Sequence, residues 1–133
     1  MDEGRGDGVA GLLVVGLGAR RGTGTAVLRA AVDEVLAAGG ISVAEVGVLA
    51  TVERRAGETG VRRLALDLGW LLVGLSPDEL AGQVVPHPSS VVASAVGTPS
   101  VAEAAALCAA GAGAALVVPK TVFSSVTVAV ARG

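Results

Sequence analysis

The sequence predicts an α/β layered fold, in which helices pack against a sheet of buried strands. Short apolar runs alternate along the chain with stretches whose apolar residues recur at helical spacing, and this alternation is typical of such folds. Several of these segments begin or end at a glycine, as expected where a chain turns. The chain has 133 residues, 52% of them hydrophobic, which is enough for one domain with its own core.

The first half of the chain is predicted to form a strand, a helix, a capped turn, a second strand and a second helix, at residues 11–16, 25–38, 42–45, 46–51 and 57–68. The first strand is a continuous apolar run between two glycines, which is typical of a strand buried on both faces. The first helix has one apolar face and ends at Gly39 and Gly40. Ser42 and Glu45 have the spacing of a capping box, in which each side chain accepts a backbone N–H of the other residue.

The second half continues the alternation and closes with two strands. The predicted elements are a strand, a helix start, a loop, a short helix, a longer helix and two strands, at residues 70–75, 76–79, 86–90, 89–96, 100–110, 114–119 and 126–131. Pro77 stands at the first helical position, where a missing N–H is tolerated. Ser100 and Glu103 form a further predicted capping box. Residues 120–125 are expected to join the last two strands as a hairpin.

Residues 1–8 are acidic and glycine-rich, unlike a signal peptide, and are expected to form a disordered tail before a single domain at 9–133. Cys108 is the only cysteine and cannot form an internal disulfide, which is typical of the reducing cytoplasm. It is expected to be a small buried residue, and His87, the only histidine, to lie in a loop. Two such residues at unrelated spacing predict no metal site, and no cofactor is predicted.

The composition argues against two classes of partner. The net charge is −2, so the chain offers no basic surface for nucleic acid. Trp70 and Phe123 are the only aromatic residues, which are too few for a row of stacked bases. The longest stretch without a charged residue, at 80–102, contains three prolines that a membrane-spanning helix would not tolerate. Neither nucleic-acid binding nor a membrane span is predicted.

A glycine-rich turn at residues 15–25 joins the first strand to the first helix and is a candidate anion site. A helix start offers unpaired N–H groups and partial positive charge. The turn lacks the lysine ending of a P-loop, and the third glycine of a dinucleotide fingerprint would fall at Arg21. Guanidinium groups pair bidentately with carboxylates, so Arg20 and Arg21 suit a polycarboxylate ligand. The alternative is a solvated turn without a ligand.

Residues 51–58 follow the second strand and mix both signs of charge. Ligands in α/β sheets bind beyond the carboxyl ends of the strands, so parallel strands would place Arg54 and Arg55 at the same edge as the turn. Lys120, at the end of the fourth predicted strand, is expected to join them. Glu53 and Glu58 are the candidates for proton transfer or for orienting a water. The alternative is a charged loop that only keeps the protein soluble.

Four segments occur together in a specific order: residues 16–23 (GLGARRGT), 49–60 (LATVERRAGETG), 97–107 (GTPSVAEAAAL), and 118–120 with 126–132 (VPK and VTVAVAR). In these segments the chain resembles the CobE family of cobalamin biosynthesis, which is equivalent to the C-terminal domain of CbiG, and its length matches the stand-alone CobE form. Ala19 stands where the family has cysteine, so a thiol is not needed there. Thr51, Glu53 and Arg55 replace the usual Ser, Asp and Lys with residues of the same chemical type.

The resemblance implies a three-layer α/β/α sandwich with a mixed, mostly parallel sheet. It also implies a role near the ring-contraction and lactone-opening steps of corrin assembly. The expected ligand is a precorrin intermediate, whose acetate and propionate groups match the arginine-bearing edge. Other enzymes of the pathway, such as precorrin methyltransferases, are expected partners.

The residues expected to bind substrate are Arg20, Arg21, Gly22, Thr23, Thr51, Arg55, Ser100, Glu103 and Lys120, and the candidate catalytic residues are Glu58 and Glu53. The sequence is compatible with three functions. The chain is a precorrin carrier or accessory factor, or a lactone hydrolase of the cobalt-precorrin-5A type that releases a two-carbon unit, or a phosphate- or nucleotide-binding module.

Overall fold

Five strands form one mixed sheet in the part of the chain that the computed structural model describes, residues 12–82 and 101–133. The strands are β1 (Leu13–Ala19), β2 (Val46–Val52), β3 (Leu71–Leu75), β4 (Ala115–Val122) and β5 (Val126–Arg132). Their order across the sheet is β3-β2-β1-β5-β4. β2 pairs in parallel with both β1 and β3, whereas β5 lies antiparallel between β1 and β4. Four strands therefore run in one direction and β5 in the other.

Helices cover both faces of this sheet. They are α1 (Thr25–Ala38), α2 (Glu53–Ala56), α3 (Thr59–Leu68), α4 (Pro77–Ala81) and α5 (Val101–Ala110). Val15 and Leu17 of β1 point into a core that includes Leu28 of α1 and Leu64 of α3. Val14 points to the opposite face, into a second core that α5 covers. The chain therefore has the α/β fold that its sequence predicts, with a helical layer on each side of the sheet.

Close contact between β1 and α5 depends on Gly16. A Cβ atom at this position would overlap the carbonyl oxygen of Ala102 and lie 2.8 Å from the Cβ of Ala106. Only a residue without a side chain lets the helix backbone approach the strand this closely. The small side chains of α5 serve the same purpose, because residues 102–106 are all buried and are alanines except for Glu103.

The predicted elements are confirmed over most of the described chain. α1 has the predicted bounds, hydrogen-bonded capping boxes occur at Ser42 and at Ser76, and β4 and β5 form the predicted hairpin. The helix predicted at 57–68 begins two residues later than expected, at Thr59, because Glu58 has extended backbone at φ −79° and ψ 146°. A separate helix, α2, precedes it at Glu53–Ala56. The segment expected to be a charged loop thus contains a four-residue helix, which is too short to show a helical period.

Some predictions fall outside the described residues. The tail at 1–8, the loop at 86–90, the short helix at 89–96, His87 and Ser100 belong to this group.

β1 continues past its predicted end at residue 16, because its pairing with β5 extends to Ala19 opposite Val126. Cys108 lies half-buried on α5. Among residues 12–82 and 101–133, no helix combines the length and the apolar character needed to cross a bilayer.

Candidate functional site

A cavity of about 340 Å³ opens where β1 and β2 end. Its walls come from the end of β1, the start of α2, the first residue of α5 and the hairpin between β4 and β5, that is from residues 18–20, 52, 54, 55, 101 and 122–127. After β1 the chain passes through α1, on one face of the sheet, and enters β2, which lies on one side of β1. α5 lies on the opposite face and leads to β4, which lies on the other side of β1. Open α/β sheets bind ligands in the crevice where successive connections diverge in this way.

Three arginines line the cavity, namely Arg20, Arg54 and Arg55. Arg20 and Arg54 are exposed, and Arg55 is half-buried. None of the described residues that line the cavity is acidic. A cluster of guanidinium groups in a concave site favours anions, and carboxylates in particular, because each group can donate two parallel hydrogen bonds.

Arg55 connects the end of β1 to the start of α3. Its Nε donates to the carbonyl oxygen of Ala19 at 2.8 Å, and its Nη1 donates to Oε2 of Glu58 at 3.0 Å. The two side chains are only 15% and 20% exposed, so this ion pair is shielded from solvent far better than the surface pair of Arg63 and Asp67. The sequence pointed to Arg55 as a ligand-binding residue. The structure adds that its guanidinium also holds two backbone segments together.

Residues 20–23 form a β-turn that carries Arg20 to the cavity. The backbone N–H and the hydroxyl of Thr23 both donate to the carbonyl oxygen of Arg20, at 3.2 Å and 2.7 Å. Gly22 has φ +82°, the left-handed value that a type II turn requires at its third residue. The N–H of Gly22 donates to Oε1 of Glu58 at 2.9 Å. The N–H of Arg20 donates to the carbonyl oxygen of Ser125, which attaches the turn to the hairpin.

Arg21 does not share the cavity with Arg20. It lines a separate hollow of about 620 Å³, formed by the turn and by the starts of α1 and α3. The hydroxyl of Thr25 donates to the carbonyl oxygen of Gly60 at 3.0 Å and so holds the two helix starts together. The two neighbouring arginines therefore face different sites, although the sequence grouped them on one ligand.

Three other predicted ligand-binding residues are engaged within the fold. Thr51 is fully buried, and its hydroxyl donates to the carbonyl oxygen of Leu17 at 2.7 Å, which gives it a structural role between β2 and β1. Glu103 is also fully buried, and its Oε2 accepts the backbone N–H of Lys120 at 2.9 Å, which joins α5 to β4. Lys120 lies inside β4 rather than after it and does not line the cavity.

The two carboxylates singled out for proton transfer lie in different surroundings. Glu58 holds the Gly22 N–H with one oxygen and Arg55 with the other. Glu53 is exposed at the first position of α2, and its backbone packs over Gly74 of β3. Neither residue lines the cavity of about 340 Å³. Glu58 therefore connects the turn at residues 20–23 to the start of α3.

The hairpin supplies the part of the site that sequence reasoning missed. Phe123, Ser124 and Ser125 line the cavity, and the same three residues line a shallow groove of about 360 Å³ against α1. Val27, which is 51% exposed, lies on the other side of that groove. The hairpin tip thus separates a cationic cavity from a groove that is mainly apolar and carries one acidic residue, Glu34. Their place in the site follows from the antiparallel pairing of β5 with β1, which brings the start of β5 to the end of β1 and leaves no signal in the sequence.

The site is suited to binding an organic anion. In residues 12–82 and 101–133 there is no group of three or more His, Cys, Asp or Glu residues that could hold a metal ion. The cavity instead offers guanidinium groups, serine hydroxyls and one aromatic ring. Such a set recognises negative charge at one end of a ligand and apolar surface at the other.

Comparison with known proteins gives the context of this site. The family model described as cobalamin synthesis G C-terminus matches residues 13–131. A cobalt-precorrin-5A hydrolase of Priestia megaterium is 34% identical over 101 residues, which cover 76% of this chain and 27% of that protein. The chain thus spans about a quarter of the length of this curated relative.

Solved structures agree with the family match. CobE, a protein from the cobalamin (vitamin B12) biosynthetic pathway, is 36% identical, with a TM-score of 0.78 over 92% of this chain and 90% of CobE. The cobalamin biosynthesis protein chiG of Agrobacterium tumefaciens is 38% identical, with a TM-score of 0.72 over 91% and 98% of the two chains. A putative cobalamin biosynthesis protein G homologue of Sulfolobus solfataricus is 21% identical, with a TM-score of 0.75 over 91% of this chain and 36% of that one, and shows the shared fold alone.

Proposed function

The chain belongs to the cobalamin synthesis G C-terminus family and is a cobalamin biosynthesis protein, and from this membership we propose that it binds a polycarboxylate precorrin intermediate as a carrier or accessory factor. The observation that carries this proposal is the cavity lined by Arg20, Arg54 and Arg55 and by no acidic residue among those described. Precorrins bear many acetate and propionate groups around their rim. The arginines are chemically matched to such a rim.

The shape of the site supports a ligand that extends beyond one carboxylate. The cavity of about 340 Å³ holds the arginines, and the adjoining groove offers Val27 and Phe123 as apolar surface. A tetrapyrrole has an apolar macrocycle inside its ring of carboxylates. In the proposed complex the rim carboxylates pair with the arginines, and the hairpin tip contacts the ring edge.

A lactone hydrolase is the second candidate, and the similarity to a protein named cobalt-precorrin-5A hydrolase favours it. In that reaction a carboxylate would orient or deprotonate a water, and Glu58 or Glu53 would take this role. The carrier has better support from the geometry, because both oxygens of Glu58 already accept hydrogen bonds and Glu53 does not line the cavity. A phosphate-binding turn has less support still, because Glu58 takes the Gly22 N–H that such a turn would offer to a phosphate.

A titration followed by visible absorbance tests the proposal. The probe is cobyrinic acid, a corrin whose side chains end in carboxylates, and its fully methylated ester is the neutral control. We expect the acid to bind and the ester to bind at least about tenfold more weakly, since charge-assisted hydrogen bonds are lost. Replacing both Arg20 and Arg54 by alanine is expected to reduce the preference for the acid strongly and to leave only the contribution of Arg55. Equal binding of acid and ester would contradict the proposal.

Incubation with a lactone-containing precorrin intermediate separates carrier from hydrolase. A carrier returns a lactone-containing intermediate unchanged, whereas a hydrolase opens the lactone and releases the two-carbon fragment. Mass spectrometry of the bound ligand after incubation distinguishes the two. Turnover by the wild type that is lost in Glu58→Gln with binding intact would favour the hydrolase. Turnover that survives this change would point to Glu53 or to a residue outside the described chain.

A further inference from the structure

The turn that presents Arg20 is held from outside by a carboxylate far away in the sequence. Glu58 accepts the Gly22 N–H at 2.9 Å, and Arg55 holds the other carboxylate oxygen at 3.0 Å. We propose that Glu58 is a positioning residue, which fixes the turn at residues 20–23 so that Arg20 faces the ligand cavity. This inference rests on the proposed function, because the cavity is taken as the corrinoid site.

The conformation of the turn explains why a carboxylate is needed. Type I and type II turns differ mainly in the central peptide, whose N–H and C=O point in opposite directions in the two forms. Glycine at the third position permits both orientations. With Gly22 at φ +82°, the N–H points towards Glu58 and is accepted there. The hydrogen bond exists only in this orientation, so Glu58 selects one of two accessible turns.

The Arg55 guanidinium strengthens the preference for this orientation of the turn. It pairs with Glu58 and also donates to the carbonyl oxygen of Ala19, the residue before the turn. The turn is therefore fixed at its start by Arg55 and at its third residue by Glu58. On its other side, the N–H of Arg20 donates to the carbonyl oxygen of Ser125 in the hairpin. The backbone of Arg20 is thus held between two walls of the cavity before a ligand arrives.

Preorganisation of this kind raises affinity without a new contact to the ligand. If the carboxylate is removed, the turn samples both orientations and must be ordered when the ligand binds, which weakens binding. Glu58 does not line the cavity, so its effect passes through the residues that it holds, namely Arg20 by way of the turn and Arg55 by way of the ion pair. A purely structural residue would lower the stability of the fold and leave the affinity of the folded fraction unchanged.

The test is a double-mutant cycle in the full chain, with cobyrinic acid as the probe. We expect Glu58→Ala to weaken binding about two- to tenfold, in proportion to the fraction of molecules that leave the turn orientation of the wild type, and Glu58→Gln to weaken it less. The Gln amide oxygen still accepts the Gly22 N–H, although the pair with Arg55 is lost. In an Arg20→Ala background, Glu58→Ala is expected to weaken binding clearly less than in the wild type, because only the contribution through Arg55 is left. Asp67→Asn, which removes a solvent-exposed ion pair with Arg63, is the matched control and is expected to change nothing.

Hydrogen exchange of the Gly22 amide gives a second readout that needs no ligand. We expect faster exchange in Glu58→Ala than in the wild type, with Glu58→Gln between them. Unchanged affinity in Glu58→Ala, or an equal loss of affinity with and without Arg20, would overturn the positioning role while leaving the proposed function intact. Absence of corrinoid binding by the wild type would instead overturn the proposed function, and Gly22 exchange would still report whether Glu58 fixes the turn.

Discussion

The Nε of Arg55 donates a hydrogen bond of 2.8 Å to the carbonyl oxygen of Ala19. Through it, the short helix after β2 is attached to the last residue of β1, and both residues line the cavity. The same guanidinium holds Glu58, and both partners are largely shielded from water. A side chain predicted to bind a ligand therefore joins two elements of the protein.

We expect Arg55→Lys to lower the free energy of unfolding by about 1.5–3 kcal/mol, since a lysine cannot reproduce both guanidinium hydrogen bonds. Urea unfolding measures this change. Arg63→Lys is the matched control, because Arg63 pairs with Asp67 on the solvent-exposed side of α3. That variant is expected to lose no more than about 0.5 kcal/mol. A similar loss in both variants would contradict the role assigned to Arg55.

Arg20 and Arg21 are expected to differ although they are neighbours. Arg20 lines the cavity and Arg21 lines the separate hollow. We expect Arg20→Ala to weaken cobyrinic acid binding about tenfold, and Arg21→Ala to change it less than about twofold. Titrations at two salt concentrations give a second comparison, in which only Arg20→Ala reduces the salt dependence. Equal losses would mean that the ligand spans both sites.

Thr51→Val is expected to destabilise the fold without affecting the ligand. The valine keeps the shape of the side chain but removes the hydroxyl that donates to the carbonyl oxygen of Leu17 at 2.7 Å. The expected cost is about 1 kcal/mol in the free energy of unfolding. Thr51→Ser retains the donor and serves as the control for the hydrogen bond. A clear loss of corrinoid affinity in folded Thr51→Val would restore this residue to the binding site.

Gly16→Ala tests the close approach of β1 and α5. The new Cβ would overlap the carbonyl oxygen of Ala102, so the helix must move away from the strand. We expect a loss of about 1–3 kcal/mol in the free energy of unfolding, as for other overpacked cores. Gly57→Ala is the control, because its Cβ would lie 3.9 Å from the nearest heavy atom at an ordinary helical φ of −80°. Thermal unfolding followed through Trp70 compares the two variants.

The local parts of the fold could be predicted because their signals lie close together in the sequence. α1 was placed from its apolar face and the glycines after it, and the capping box at Ser42 from a spacing of three residues. α2 was missed because its few residues are charged and show no period. Arg54 was assigned to the expected edge, but its place in the cavity depends on that helix.

The site was predicted only in its general chemistry. The arginine-rich edge followed from the parallel order of the first strands. The connection from Gly22 to Glu58 joins residues 36 positions apart, and no periodicity reports such a contact. The contribution of Phe123 and Ser125 depends on the pairing of β5 with β1, which composition does not reveal. The sequence identifies the residue types of the site but not the long-range contacts that bring these residues together.

The pairing of β5 with β1 also determines when the site can first exist. Arg20 and Ser125 come from distant parts of the chain and meet through a backbone hydrogen bond in the cavity wall. During synthesis, the arginines leave the ribosome long before the hairpin that completes the wall. No nascent fragment that ends before the hairpin holds the complete cavity. A ligand that contacts both walls therefore recognises only chains in which the hairpin has folded, and it stabilises the native state as a whole against unfolding.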